Sequence, residues 1–418
     1  MGQAGPRQPR RLWLNSAVAP DIIIVGGGPA GLSTALHLVN LAPDLVPRIL
    51  VLEKAHYPRH KLCAGALVSD AEVILEGLGL DVTEVPHVDA TEAHLDFAGE
   101  GLAVRLPGTH ALRIIRRNEF DAWLAGKARA AGIEISEGVA VRRVLARSDG
   151  VTIESSSGAL EAAVVVGADG SNGVTRRSIP QTSAMHTARV LEVLVPVERP
   201  SPVVAAERSD RSNLPQSPGA ASPHHADIAY LDFSPVPLGI AGYTWDFPTQ
   251  VDGRPTRCWG IYDANLRPHA RQTPLRRPLS EEMRRHECEL SDGDLEGHPI
   301  RWFSPFDRFA IPRVLLVGDA AGADGIFGEG ISIALGYGKI AARAIHDAVT
   351  NGDYSFGHYR RQLLASPLGR ALTVRTAITQ ILYRLRWTWF QRFFWRVLKP
   401  VVLALSLLLV LNWARRMK

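Results

Sequence analysis

The sequence predicts an α/β protein in which a Rossmann-like parallel-sheet domain is joined to an antiparallel sheet and followed by a helical C-terminal region. Three observations carry that expectation. A β-branched run, Ile22 to Val25, meets a glycine turn and then an apolar helical pattern. Two later apolar runs, Ala163 to Val166 and Val314 to Val317, also end in turns that pair glycine with aspartate. Between them, segments such as Tyr243 to Phe247 alternate as half-buried antiparallel strands do.

In the first turn each small residue has a task. Gly26 makes the tight bend, Gly28 leaves room for the backbone to approach a pyrophosphate, and Gly31 lets helix and strand pack closely. The helix through Ala30, Leu32, Ala35 and Leu36 then offers its free N–H groups to the phosphates. A second strand, Arg48 to Leu52, ends at Glu53 and Lys54. Glu53 stands about 20 residues past Gly31, where an acidic side chain accepts from ribose hydroxyls. Together these residues predict dinucleotide binding.

Composition narrows the classes. With 418 residues the chain is long for one core, which favours two domains and an appendage. Lys and Arg number 47 against 42 Asp and Glu, a net charge of +5 without a long basic block, so nucleic acid is a poor partner. The positive excess gathers at the two ends and suits an anionic membrane surface. Three widely spaced cysteines, Cys63, Cys258 and Cys288, hold neither a disulfide framework nor a zinc or iron–sulfur set, and a reducing, cytoplasmic setting follows.

Taken in order, residues 1–19 read as a disordered basic tail without a secretory h-region. The loop Lys54 to Ala66 carries Pro58, several cations and Cys63. A surface connection with a buried thiol explains it, and so does a thiol held against a ligand beyond the C-terminal end of a parallel strand. Asp70 to Leu80 is helical, and Val82 to Arg116 reads as short strands. A helix follows from Arg117, with Asn118 as its cap and Phe120, Leu124 and Ala128 on one face. Arg117 is placed either to reach a phosphate or to pair with Glu119 or Asp121. The strand to Val166 leads into Gly167-Ala-Asp169-Gly170, a second nucleotide-side turn or a simple bend.

Residues 199–226, rich in Pro, Ser, Ala and His, form a flexible insertion whose adjacent His224 and His225 make no metal site. In Tyr243-Thr-Trp245-Asp-Phe247-Pro the spacing of two puts three rings on one strand face. That face is either a wall for a large apolar ligand or a plain core face. After Val317 come Gly318 and Asp319, the latter placed to accept from a sugar hydroxyl. Gly328-Glu-Gly330 and a small-residue helix from Ile331 to about Val349 follow, with the helix N-terminus toward the ligand.

These turns occur in the order seen in FAD-dependent enzymes of the p-hydroxybenzoate hydroxylase-like fold. More narrowly, Pro58-Arg-His-Lys-Leu-Cys63-Ala64-Gly, the Tyr243-x-Trp245-x-Phe247-Pro box and Gly318-Asp-Ala-Ala-Gly with Gly328-Glu-Gly-Ile331 resemble the geranylgeranyl reductase family over roughly residues 21–349. The resemblance implies FAD held by Ala30, Glu53, Arg117, Asp319, Gly330 and Ile331. It also implies Cys63 close to the flavin, and an isoprenoid cavity lined by Tyr243, Trp245 and Phe247. The implied activity is saturation of isolated double bonds in a prenyl lipid or prenylquinone, with Cys63, Tyr243 and Trp245 as catalytic residues. NAD(P)H and ferredoxin are both open as electron donor. On this reading 20–80, 110–180 and 305–352 form a discontinuous FAD-binding domain. Segments 81–109 and 181–304 form the substrate domain, and 353–418 the helical C-terminal region. A flavin monooxygenase or halogenase on the same scaffold, and a membrane flavoprotein passing electrons to quinone, are the other classes.

The C-terminal region carries its own signal. From Ile378 to Leu398, apolar and aromatic residues alternate with Arg384, Arg392, Arg396 and Lys399 on one helical face, as in interfacial helices. Residues 400–413 are almost purely apolar but span only roughly 21 Å as a helix, short of a hydrocarbon core of about 30 Å. A peripheral or monotopic attachment to the cytoplasmic face of a membrane is therefore expected over a span.

Overall fold

The computed structural model describes residues 21–106, 108–181, 186–197, 227–270, 272–290, 295–400 and 412–417. The basic tail, the insertion 199–226 and most of the apolar stretch 400–413 lie outside these residues.

The described chain opens with β1 (Ile22–Val25), α1 (Pro29–Leu41) and β2 (Ile49–Leu52), a right-handed βαβ unit by the usual rule. After the loop come β3 (Ala66–Leu67), α2 (Ser69–Gly77), β4 (His87–Ala90), β5 (Glu92–Phe97), β6 (Glu100–Arg105) and β7 (Leu112–Ile115). Then follow α3 (Arg117–Ala130), β8 (Glu134–Ser136), β9 (Val141–Ala146), β10 (Val151–Ser155), β11 (Gly158–Ala162), β12 (Val164–Gly167) and α4 (Val174–Arg177). The second half holds β13 (Thr187–Pro196), β14 (Ile228–Asp232), β15 (Gly242–Val251), β16 (Arg254–Asp263), α5 (Arg276–Arg285) and β17 (Glu296–Arg301). It continues with β18 (Ala310–Ile311), β19 (Val314–Leu316), α6 (Ile331–Asn351), α7 (Tyr359–Ala365), α8 (Pro367–Leu382) and α9 (Thr388–Arg396).

The strands sort into four sheets. One runs β18-β19-β12-β1-β2-β8, parallel except at the β18 edge. Its central strands are fully buried, as their unbroken Ile and Val content requires of a sheet covered on both faces. The large second sheet runs β17-β13-β16-β15-β14-β5-β6 and is antiparallel except where β14 lies parallel to β5. Smaller sheets β11-β10-β9 and β3-β7-β4 complete the set.

Two of the expectations change. Asn118 does not cap α3: the helix starts one residue earlier, at Arg117, and the capping position is Arg116. Arg117 is drawn into the first turn by its bidentate bond to Asp121, four residues on. The single helix expected over 378–398 is broken between Leu382 and Thr388. Tyr383 and Trp395 both bury in the core under the large sheet. On an unbroken helix, side chains 12 residues apart differ in direction by about 120°. The turn lets both rings face one core, and it takes Arg384 off the face that carries Arg392 and Arg396.

The large sheet owes its packing to a missing side chain. Gly260 on β16 pairs with Trp245 on β15, and a Cβ at Gly260 would lie 2.1 Å from Trp245 Cζ2. The indole therefore lies flat over the glycine. Replacing Gly260 by Ala overpacks this contact and lowers stability by about 1–3 kcal/mol. In urea denaturation this appears as a lower midpoint at unchanged slope.

Candidate functional site

The site begins where three strands of the parallel sheet end. Gly26 has φ +109°, and a Cβ there would lie 2.3 Å from the Ala168 carbonyl oxygen; a Cβ at Gly31 would lie 2.1 Å from the Gly26 carbonyl oxygen. The first and second glycine turns thus touch backbone to backbone. The third joins them, because a Cβ at Gly318 would lie 2.7 Å from Ala30 Cβ. The N-termini of α1 and α6 open beside this junction, with Asp319 next to Gly330 and Ile331 at the start of α6.

Cations converge on the first turn. Arg59 Nη2 and Arg117 Nη2 lie 3.6 and 4.0 Å from the place a Gly28 Cβ would take. Arg59 pairs with Asp121 at 3.0 Å, and Arg117 donates two bonds of 2.8 Å to the same carboxylate. Burial disfavours the Arg117 charge, but Asp121 outweighs it and holds the guanidinium well above its ordinary range. Arg59 Nε is buried and ion-paired with Glu53 Oε2 at 3.4 Å, which ties the arginine to the acid at the end of β2. Glu53 is fixed by two backbone bonds, Gly27 N–H to Oε2 at 2.9 Å and Ala55 N–H to Oε1 at 3.0 Å. A bare glycine at 28, two arginines, a helix N-terminus and a buried acid form a cradle that fits the pyrophosphate and ribose of a dinucleotide.

Not every expected residue sits in the cradle. Asp169 is turned back into its own bend, accepting from the Thr175 N–H and hydroxyl, both at 2.9 Å. Its turn serves the site through Ala168. Gly170, at φ +80°, has open space around it. Lys54 is exposed, while Gly328 is packed against the Tyr262 ring.

The loop after β2 joins the two large sheets. Cys63 packs against the core of the parallel sheet and Ala64 against the core of the aromatic sheet. Lys61 bonds His298 on β17, and His60 meets Glu296 at 2.9 Å on the same strand. Burial lowers the pKa of Lys61, with Asp319 pulling the other way. With Cys63 on one core and Ala64 on the other, this loop lies between the cradle and the aromatic sheet.

Opposite the cradle, Tyr243, Trp245 and Phe247 share one face as their spacing predicts, with centroids 6.2 and 6.4 Å apart. Tyr262, Phe233 and Phe327 pack around Tyr243. Three hydroxyls tie this face to the segment before α6: Tyr243 to Phe327 O at 2.5 Å, Tyr262 to Gly325 O at 2.9 Å and Tyr383 to Ile326 O at 2.7 Å. Arg375 of α8 is buried between Asp324 and Glu329 and anchors the same turn.

The pairing of Arg117 with Asp121, one of the alternatives its position offered, is observed. Sequence reasoning assigned no site role to Arg59, one of several cations in its loop, and passed over Gly260, Arg375 and Glu192. Glu192 left a faint signal: an acid at the alternation position shared by Val190 and Leu194.

Comparison with known proteins agrees with the cradle. Residues 19–222 match the family model described as an FAD binding domain. Digeranylgeranylglycerophospholipid reductase 2 of Methanopyrus kandleri is 27% identical over 355 residues, 82% of this chain and 80% of the relative. A probable electron transfer flavoprotein-quinone oxidoreductase of Escherichia coli, YdiS, is 26% identical over 377 residues, 82% and 81% of the two chains. Among solved structures, a geranylgeranyl bacteriochlorophyll reductase-like protein of Thermoplasma acidophilum superposes with a TM-score of 0.66 at 20% identity, covering 86% of this chain and 87% of its own. The chain is an FAD-dependent oxidoreductase. Within that class its homologues include digeranylgeranylglycerophospholipid reductases.

Removing the acid that orders the cradle tests its assignment. Glu53→Ala leaves the Gly27 and Ala55 amides without their side-chain acceptor, a cost of about 1–3 kcal/mol for a buried polar group. Flavin affinity falls about tenfold or more, read as loss of bound flavin absorbance on dilution.

Proposed function

We propose that the chain is an FAD-dependent reductase that saturates isolated C=C bonds in the isoprenoid chain of a membrane lipid or prenylquinone. The observation that carries this reading is the wall of Tyr243, Trp245 and Phe247, set across the Cys63–Ala64 loop from the dinucleotide cradle. An apolar, aromatic face with few polar groups suits a hydrocarbon chain.

Arg59, Arg117, Glu53 and the N-termini of α1 and α6 would hold FAD, which when bound and reduced supplies a hydride. The protein's own part is to exclude water, to hold the chain against the aromatic face and to manage positive charge and a proton. A trisubstituted alkene acquires tertiary cationic character as it is protonated, and the faces of Tyr243 and Trp245 attract such charge by about 2 kcal/mol where desolvated. Tyr243 stays a neutral phenol, because burial and then the charges of Asp324 and Glu329 push its pKa up. Cys63 flanks the same space as an orienting group.

Delivery of the substrate accords with the surface. Ile381 on α8, Trp387 in the turn after it, Trp389 and Phe393 on α9 and Val397 just past its end are all exposed, beside Arg392 and Arg396. Aromatics and cations in this arrangement suit a membrane interface. No helix among the described residues is long and apolar enough to cross a membrane. A peripheral attachment through this region is part of the proposal.

A second reading, electron transfer to a quinone, is favoured by the likeness to the quinone oxidoreductase. One anaerobic experiment separates the two. The detergent-solubilised flavoprotein is reduced with dithionite and mixed with geranylgeranyl lipid or menaquinone, and flavin reoxidation is followed together with lipid mass. A gain of H2 per double bond supports the reductase, and Trp245→Ala, by losing the cation–π contact of about 2 kcal/mol, slows the step about 30-fold. Conversion of menaquinone to its quinol with an unaltered side chain supports electron transfer instead. Reoxidation only on admitting oxygen moves the monooxygenase class to the front.

A further inference from the structure

Glu192 lies on β13 between two strands that matter to the site. It is directly opposite Gly260 of β16 on one side and Glu296 of β17 on the other. Directly opposed residues of an antiparallel pair share a face, so Glu192, Gly260 and Trp245 form one row across the sheet. The indole of Trp245 covers Gly260 and thereby reaches toward Glu192. The Cys63 backbone amide and the Cys258 thiol also face the carboxyl. Glu192 is 3% exposed, and its Oε2 has no hydrogen-bond partner. An acid buried on the face shared by Val190 and Leu194, with one oxygen unpaired and beside Cys63 and Trp245, is costly to keep for packing alone.

We propose that Glu192 is the acid that protonates the substrate alkene, an assignment that rests on the prenyl reductase reading. The Glu192 O–H bond breaks as a C–H bond forms at one alkene carbon. The other carbon takes a hydride from the reduced flavin, the reductant, which is thereby oxidised while the alkene is reduced. Glu192 is left as a carboxylate. Its proton returns through Glu296, whose Cβ stands about 5 Å across the strand pair, and through the exposed His60 that meets Glu296 at 2.9 Å.

The charge environment suits the role. Burial pushes the Glu192 pKa up to about 7; Arg116, the Cys258 thiol and the Cys63 amide pull it down, and Glu296 adds repulsion. A carboxyl poised there holds its proton near neutrality yet donates more readily than an ordinary thiol with pKa about 8.5. Cys258, completely buried, has its own pKa raised by burial and then by Glu192, so it remains a neutral thiol beside the acid.

The test uses the full-length, detergent-solubilised flavoprotein carrying Glu192→Gln or Glu192→Asp. In anaerobic single turnover with geranylgeranyl lipid, the wild-type rate falls as pH rises through about 7, because the donor must be protonated. Glu192→Gln keeps its flavin, loses about 100-fold or more in lipid-dependent reoxidation, and loses that pH dependence. Glu192→Asp recovers part of the rate and keeps a pH-dependent fall. Independently of turnover, the infrared spectrum of the oxidised protein shows a protonated-carboxyl band at pH 6 that disappears on raising the pH and is absent in Glu192→Gln. A wild-type-like rate in Glu192→Gln, or no such band, overturns the assignment while leaving the reductase reading intact. If wild-type protein saturates no prenyl chain, both fall together.

Discussion

Close approach of backbones at the glycine turns is the constraint on which the rest depends. Gly26 against Ala168, Gly31 against Gly26 and Gly318 against Ala30 leave no room for side chains, so the ends of β1, β12 and β19 are pinned to one point. Below it α1 and α6 pack along each other, and a Cβ at Gly338 would lie 2.4 Å from Ser33 Oγ. Two helices held this closely present their N-termini to the same ligand. Without the small residues the helices would separate, and the partial positive charges would no longer converge.

A convergence of donors needs its cations held in place. Asp121 does this for both Arg59 and Arg117 from a fully buried position on α3, and Glu53 does it for the backbone of the first turn. The loop that supplies Arg59 and Lys61 continues through Cys63 and Ala64 into the second core. Arg59 pairs on the cradle side, whereas His60 and Lys61 bond β17 of the aromatic sheet and Ala64 packs on its core. One loop therefore fixes the distance between cradle and wall.

Much of this is legible in the residues because the signals are local. Ile22 to Gly31 reads as strand, turn and helix from a run of about ten residues, and Tyr243, Trp245 and Phe247 read as one face from a period of two. What is not legible depends on partners distant in sequence. The break after Leu382 exists because Tyr383 and Trp395 share a core built by β14 and β15. Asp169 resembles a ligand-facing acid in its motif, yet Thr175 claims one of its two carboxylate oxygens. Glu192 breaks the alternation of β13, but only registry with Gly260 and Glu296 shows what it faces. The pairing of β14 with β5 joins segments more than a hundred residues apart, and no local pattern specifies it.

The aromatic residues also connect the exterior to the site. From the exposed Trp389, ring contacts run through Phe390, Phe394 and Trp395 at centroid distances of 6.0, 6.3 and 5.4 Å. Trp395 meets Phe233 at 4.7 Å, and Phe233 meets Tyr243 at 5.4 Å. All lie within the range in which aromatic pairs attract beyond their area alone. The same α8 that precedes this helix buries Arg375 against Glu329, in the turn at the head of α6. On the proposed reading, a hydrocarbon chain leaving a membrane at Trp387 and Trp389 would pass from one apolar surface to the next. The helices it meets first are bonded, through Arg375 and Tyr383, to the turn that faces the flavin. Attachment at the surface and geometry at the reacting bond are then joined through two consecutive helices, α9 carrying the exposed Trp389 and α8 the buried Arg375.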